Sequence, residues 1–122
     1  MSSDVFVTYW KQQQALRLRQ NRQAAKLARR DLDKILQVLC QRYRVRRIVL
    51  FGSLTKGQFT NESDIDLAVT GLAPEDFFAA YAEIAQLSQF KVDLKPLENL
   101  HSRFYQRVLA QGEVLYEAPD SG

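Results

Sequence analysis

The sequence predicts an α/β (α+β) fold in which one long helix precedes short strands that alternate with further helices. Residues 8–43 contain neither Gly nor Pro, which favours an uninterrupted helix. Three later short runs contain apolar β-formers; Gly, Ser and Asn separate the first two, as is typical of strands joined by a turn, and a predicted helix separates the second from the third. A length of 122 residues suits one domain with a modest core.

The long helix is predicted to have two different halves. An apolar stripe at steps of three or four residues marks the second half and consists of Ala25, Ala28, Leu32, Leu36, Leu39 and Tyr43. In the first half, Gln and Asn side chains interrupt any such stripe. We therefore expect 25–43 to pack on the core, and we divide the chain into a projecting basic helix at 1–30, a globular domain at 31–117 and a disordered tail at 118–122.

The elements after this helix follow from the apolar pattern and the turn residues. Three runs are predicted to be strands: 46–51 for its apolar β-formers, 65–69 for its alternation of apolar and polar residues, and 90–94 as a short third strand. Pro74 suits the first turn of a helix that runs to about residue 89, and Gly112 suits the cap of a last helix that begins at about residue 98. The sheet would then have three strands, or four if 113–116 adds an edge strand.

The net charge of +3 conceals two oppositely charged parts. Residues 1–47 carry 12 Lys+Arg and 3 Asp+Glu, whereas the remainder carries 5 and 11. A basic helix can bind nucleic acid, bind an acidic protein surface or lie solvated, and charge alone does not choose among these. Tyr9 and Trp10 would suit a protein interface or a fold-back onto the core. Self-association through this helix is therefore one alternative, and nucleic acid is a less favoured partner.

Composition also argues against several classes of protein. No apolar run approaches the roughly 18 residues of a membrane span, and the N-terminus has no signal-peptide pattern. Cys40 is the single cysteine, so it forms no internal disulfide, which fits a reducing cytoplasm. We therefore expect a cytoplasmic protein without a membrane partner.

Three aspartates occupy positions where carboxylates are costly unless they have a use. Asp64 and Asp66 are two residues apart at the start of a predicted strand, so their side chains point to the same face. Asp93 interrupts Val92 and Leu94 in another predicted strand. Converging carboxylates repel one another, and a hard cation such as Mg²⁺ removes that cost. The alternative is that these aspartates only cap turns.

Gly52 and Ser53 end the first predicted strand at a point suited to a phosphate. Gly52 permits close backbone approach, and Ser53 offers a hydroxyl and an N–H. Lys56 is a further candidate for phosphate contact, although a solvated loop lysine is the commoner role, and Ser63 is a weaker candidate for nucleotide contact. A phosphate site facing a carboxylate metal site is what phosphoryl or nucleotidyl transfer requires.

These residues resemble a known motif. Gly52-Ser53, ten intervening residues and Asp64-Ile65-Asp66 match the Gly-Ser-x10-Asp-x-Asp pattern of the DNA polymerase beta-like nucleotidyltransferase superfamily. Asp93 stands where that superfamily places its third carboxylate. The region at about 32–116 looks like the minimal nucleotidyltransferase (MNT) domain of this group.

The resemblance implies a three-stranded mixed sheet with helices on one face. It implies that Asp64 and Asp66 hold two Mg²⁺ ions, that Asp93 completes the metal on the nucleophile side and helps to activate the acceptor, and that Gly52 and Ser53 hold the β- and γ-phosphates of ATP. Many MNT proteins look like antitoxins encoded beside a HEPN-domain ribonuclease toxin, and some transfer AMP to a tyrosine of that toxin. The basic N-terminal helix departs from the family, because the minimal domain does not need its length.

The function implied is Mg²⁺-dependent transfer of AMP from ATP to a hydroxyl, with a tyrosine of a HEPN toxin as the expected acceptor and this protein as the antitoxin. The alternative is a non-catalytic antitoxin that neutralises its toxin by direct contact. Three unpaired carboxylates argue against that alternative, because they would otherwise be an unexplained cost. Small-molecule nucleotidylation is less expected, since relatives of that kind add a second domain and 122 residues leave no room for one.

Overall fold

The computed structural model describes residues 3–119, and its first element is a 39-residue helix, α1 (Ser3–Gln41). α1 ends in a turn where Arg44 adopts φ 53° and the Val45 N–H donates to Leu39 O at 3.2 Å, a common way to end a helix. The predicted long N-terminal helix is therefore confirmed. No helix among residues 3–119 combines the length and the apolar character that crossing a membrane requires.

Only the second half of α1 is buried. Ala25 and Leu36, which the predicted stripe included, lie at its flank and are only partly buried. Both still pack against the core, so the prediction that this half of α1 packs on it is confirmed, with Ala24 and Ile35 buried more deeply than their predicted neighbours. The fully buried residues are Ala24, Ala28, Leu32, Ile35 and Leu39.

A four-stranded mixed sheet follows α1. Its strands are β1 (Arg47–Phe51), β2 (Ile65–Thr70), β3 (Val92–Pro96) and β4 (Glu113–Glu117). The spatial order is β3-β2-β1-β4, with β1 antiparallel to both β2 and β4 and β2 parallel to β3. β3 begins two residues later than predicted, and Phe90, which precedes it, packs edge to face on Phe59 with ring centroids 5.0 Å apart. The predicted mixed sheet is confirmed in its four-stranded form.

The two later helices are shorter than the sequence predicts: a separate 3₁₀ turn precedes each, and the first of them ends at Ala85 rather than at about residue 89. A 3₁₀ turn at Pro74–Asp76 leads into α2 (Phe77–Ala85). Another at Leu97–Asn99 is separated from α3 (Ser102–Gln111) by extended backbone at Leu100. The helix predicted to run from about residue 98 to Gly112 is thus two elements.

Side chains alternate between the two faces of the sheet. One face, which includes Ile48 and Leu50, packs against α1 and α2 in the larger core. The other face carries Val49 and Ala68, which pack with Val108 of α3. The expectation of helices on one face therefore describes α1 and α2, and α3 lies against the opposite face.

The two ends of the sheet can be distinguished by their residues. β1 ends at one of them, where β2, β3 and β4 begin; we call this the Gly52 end. The opposite end is the Glu117 end. Arg29 of α1 pairs with Glu113 at the Gly52 end, with 2.8 Å between Nη1 and Oε2, while residues 42–46 join the C-terminal end of α1 to the start of β1. α1 therefore runs from the Gly52 end towards the Glu117 end.

Candidate active site

The turn that follows β1 is held by its own hydrogen bonds. Gly52 O accepts from the Thr55 N–H at 3.2 Å and from the Thr55 hydroxyl at 2.8 Å. Ser53 O accepts from the Lys56 N–H at 3.2 Å and from the Gln58 N–H at 3.0 Å. Ser53 is half-buried at the start of this turn. The turn therefore has a backbone fixed by its own sequence.

Gly52 is required by its backbone and by its neighbour. It adopts φ 81°, which side chains with a Cβ rarely tolerate. A Cβ added at this position would overlap Asp66 Oδ2 and lie 3.1 Å from Asp66 Cγ. The missing side chain thus leaves the space that the Asp66 carboxylate occupies.

The sheet register brings the predicted carboxylates together. Asp66 is the Cα partner of Phe51 on β1 and of Asp93 on β3. Asp64 precedes Asp66 by two residues, and Asp66 lies between the buried side chains of Ile65 and Leu67. The aspartates therefore point away from the larger core, towards the face that α3 partly covers.

The electrostatics of Asp66 reflect this convergence. The pKa of Asp66 is raised from 3.8 to about 6, first by burial and then by the negative charges of Asp93 and Asp64, while Lys95 opposes the shift. A carboxylate with such a pKa is poised to accept a proton or a cation. The donor set consists of oxygens that already repel one another, which is the chemistry that suits a hard divalent cation.

Lys95 is a neighbour of the cluster that the sequence analysis missed. It lies two residues after Asp93 on β3, and its ammonium group donates to Asp93 Oδ2. Among residues 3–119, no group of three or more His, Cys, Asp or Glu side chains is arranged to hold a metal ion as it stands. A cation at the cluster would have to compete with Lys95 for Asp93.

Ser63 lies in the loop that leads to the cluster, where it bonds to its own chain. The Thr60 N–H donates to Ser63 Oγ at 2.9 Å, and the Ser63 N–H donates to Thr60 O at 3.1 Å. These two bonds fix the backbone immediately before Asp64. Ser63 is thus engaged in shaping the loop.

A cavity of about 200 Å³ lies between the Gly52 turn and α3. Lys56 and Arg107 both line it, so two cations border the space beside the glycine. Phe104 of α3 also lines the cavity and contacts Phe51 edge to face, with ring centroids 5.7 Å apart. Arg107 and Phe104 were not predicted, because only the packing of α3 decides which of its faces meets the turn.

A glycine-serine turn beside converging carboxylates, with cations across a cavity, is the arrangement of a nucleotidyltransferase site. The comparisons agree with this class. The family model described as polymerase beta, nucleotidyltransferase matches residues 33–121. A candidate protein adenylyltransferase of Methanocaldococcus jannaschii is 30% identical over 87 residues, covering 66% of this chain and 85% of that protein.

Solved structures give the same result. A toxin–antitoxin structure with AMP-PNP matches with a TM-score of 0.61 and 26% identity, covering 70% of this chain and 73% of that chain. A structure of a tri-AMPylated Shewanella oneidensis HEPN toxin in complex with its MNT antitoxin matches with a TM-score of 0.58 and 26% identity, covering 74% and 72%. The chain therefore belongs to the polymerase beta nucleotidyltransferase family, and the resemblance predicted from the Gly-Ser and Asp-x-Asp spacing is confirmed.

Proposed function

We propose that this protein transfers AMP from ATP to a tyrosine hydroxyl of a partner HEPN ribonuclease toxin and thereby acts as the antitoxin. The observation that carries the proposal is the convergence of Asp66 and Asp93 beside the Gly52 turn. Its support from relatives is twofold: the Methanocaldococcus jannaschii protein is named as a candidate protein adenylyltransferase, and the Shewanella oneidensis structure contains an AMPylated HEPN toxin.

In the proposed reaction, the acceptor oxygen attacks the α-phosphorus of ATP. The bond between the α-phosphorus and the bridging oxygen breaks, and pyrophosphate leaves with that oxygen. The proton of the acceptor hydroxyl passes to a carboxylate of the cluster, which we assign to Asp93. Two Mg²⁺ ions held by Asp64, Asp66 and Asp93 would supply neutralisation of the phosphates and alignment of the acceptor.

The nucleotide would be held on the side of the Gly52 turn. We assign the phosphates to Gly52 and Ser53, with Lys56 as a further cation. Arg107 lines the same cavity as Lys56 and is added to this set. Ser63 contributes by fixing the loop before Asp64 through its bonds with Thr60, and direct nucleotide contact is not needed for that role.

Label transfer tests the proposal. Full-length protein, α-³²P-ATP, Mg²⁺ and a purified HEPN-family protein from the same genome are incubated with wild type, with Asp66→Asn and with Asp76→Asn. Asp76 is an exposed carboxylate before α2, so its amide variant is a matched control. We expect label on the HEPN protein with wild type and Asp76→Asn and none with Asp66→Asn. Equal labelling by all three proteins would reject the assignment of the site.

A second candidate function is a contact antitoxin without catalysis. It is favoured by the Lys95 bond to Asp93, which satisfies one carboxylate without a metal. Inhibition of the HEPN ribonuclease by Asp66→Asn as complete as that by wild type, with no label transferred by either, would establish this function.

A cytoplasmic location, which we also propose, is supported by the use of ATP and by the single cysteine.

A further inference from the structure

The first half of α1 is a helix without a covering surface among the described residues. We call residues 3–23 the arm. Burial on the core begins only at Ala24, and every arm residue except Gln14 and Asn21 is exposed. The arm also precedes the family match, which begins at residue 33. At about 1.5 Å per residue, it extends roughly 30 Å.

The tip of the arm is apolar over an unusually wide part of its circumference. Adjacent residues on a helix differ by about 100° in direction. Going around the helix, Val5 and Tyr9 point in one direction, Phe6 and Trp10 lie about 100° further on, and Val7 lies about 100° beyond those. Apolar side chains therefore span about 200° of the circumference of the tip. Phe6 is 71% exposed and Trp10 is 54% exposed. A helix lying on a single flat surface needs only about 100° of apolar face, so the tip has the shape of an element that enters a groove.

The shaft of the arm is basic. Lys11, Arg17, Arg19 and Arg22 follow the apolar tip, and Asp4 is the only acidic residue in 3–23. The ion pairs that the structure forms within 3–119 begin at Arg29, so these four cations are not used inside the molecule. Two such arms would repel each other, which disfavours a second copy of this chain as the occupant. An acidic protein surface complements them.

The arm leaves the domain at the same end of the sheet as the carboxylate cluster. Arg29 pairs with Glu113, which is the β4 partner of Leu50 near the end of β1. Asp31 accepts from the Ser88 hydroxyl at 2.8 Å, shortly before β3 begins. Residues preceding Ala24 therefore continue past the Gly52 end, and a protein held by the arm would lie at the same end of the sheet as the candidate active site.

We infer that the arm is the docking element for the acceptor protein of the transfer. Its tip enters an apolar groove of that protein, and carboxylates at the rim of the groove pair with the basic shaft. The inference rests on the proposed function for the identity of the acceptor. It predicts that binding energy and chemistry are separable, because the arm and the Gly52 end are built from different residues.

Affinity for a HEPN-family protein from the same genome tests the inference. Full-length wild type, Phe6→Ser/Trp10→Ser, Phe78→Ser and Asp66→Asn are compared by calorimetry and by label transfer. Phe78 is 81% exposed on α2, which makes it a matched loss of an exposed aromatic outside the arm. We expect the arm variant to bind about tenfold or more weakly, with an acceptor KM raised to match and kcat within about twofold. Phe78→Ser and Asp66→Asn should keep the wild-type affinity, and circular dichroism should show an intact α1.

Affinity in the arm variant equal to wild type would overturn the inference and leave the proposed function standing. A loss of affinity in Phe78→Ser equal to that in the arm variant would overturn it too. If light scattering shows that the wild type is a dimer and the arm variant a monomer, a second copy of this chain occupies the arm. If the wild type binds RNA and the arm variant does not, the occupant is nucleic acid. Binding that depends on the arm without label transfer would reject the proposed function while supporting the docking role.

Discussion

Both ends of the sheet carry charged side chains, and they compensate those charges differently. At the Glu117 end, Arg47 and Glu117 pair at 2.8 Å, and Glu98 accepts the Gly71 N–H at 2.9 Å. At the Gly52 end, like charges converge and burial with its acidic neighbours raises the pKa of Asp66 to about 6. The charges at the Glu117 end are thus satisfied within the chain. At the Gly52 end, Lys95 pairs with Asp93 but the pKa of Asp66 stays raised, and such perturbed groups are typical of functional sites.

The largest expected difference between the ends is in catalysis. Asp66→Asn should lower AMP transfer about a thousandfold or more, because it removes a carboxylate at the point where charge must be neutralised. Glu117→Gln should change the rate by no more than about twofold, since it breaks only a largely exposed ion pair. Initial rates of label transfer measure both variants. A comparable loss in Glu117→Gln would show that the two ends are not functionally distinct.

A pair of glycines sharpens the comparison. Gly52 has φ 81° and Gly71, at the Glu117 end, has φ 86°, so alanine at either should cost about 1–2 kcal/mol in free energy of unfolding. At Gly52 the new Cβ also meets the Asp66 carboxylate, whereas at Gly71 it meets the Arg46 side chain at 2.7 Å. Denaturant unfolding should therefore show a lower free energy of unfolding in both variants, whereas the rate of label transfer should fall mainly in Gly52→Ala. Normal activity in a folded Gly52→Ala protein would contradict the geometry proposed for Asp66.

Two arginines make a similar pair for nucleotide binding. Arg107 borders the cavity beside Gly52, while Arg47 is already paired with Glu117. Arg107→Gln should raise the KM for ATP about tenfold, the effect of losing one charge-assisted phosphate contact. Arg47→Gln should leave that KM within about twofold. If ATP saturation curves are the same for both variants, the cavity does not hold the phosphates.

The smallest effect is on stability without metal. The raised pKa means that between about pH 4 and pH 6 folded Asp66 binds more protons than unfolded Asp66, so the free energy of unfolding falls as pH rises through this window. Because Asp66 is partly exposed, the change should be below about 1 kcal/mol. The free energy of unfolding is measured with urea in EDTA at pH 4.5 and at pH 7. Relative to wild type, Asp66→Asn should be more stable at pH 7 than it is at pH 4.5. The opposite sign would mean that the cluster is compensated within the chain.

Much of this protein follows from local sequence patterns. A stretch without Gly or Pro determines that α1 forms, since helix propensity acts over neighbouring residues. The two-residue spacing of Asp64 and Asp66 determines that they share a face wherever β2 lies, because side chains in a strand alternate. The Gly52-Ser53 turn and the Asp-x-Asp pair were joined into one motif by their resemblance to the DNA polymerase beta-like superfamily, before any contact between them was known.

The tertiary structure decided which residues meet, which the spacing of residues within one helix or strand does not determine. The parallel register of β2 and β3 sets Asp93 opposite Asp66, and the packing of α3 brings Arg107 to the Gly52 turn. Ala24 and Ile35 are fully buried while Ala25 and Leu36 pack at the flank of the core, since steps of three and four residues fit two adjacent stripes and only the opposing sheet selects between them. These contacts join residues far apart in sequence, so no nearby pattern encodes them. The same packing makes the exposed arm leave the domain at the end of the sheet that carries the carboxylate cluster.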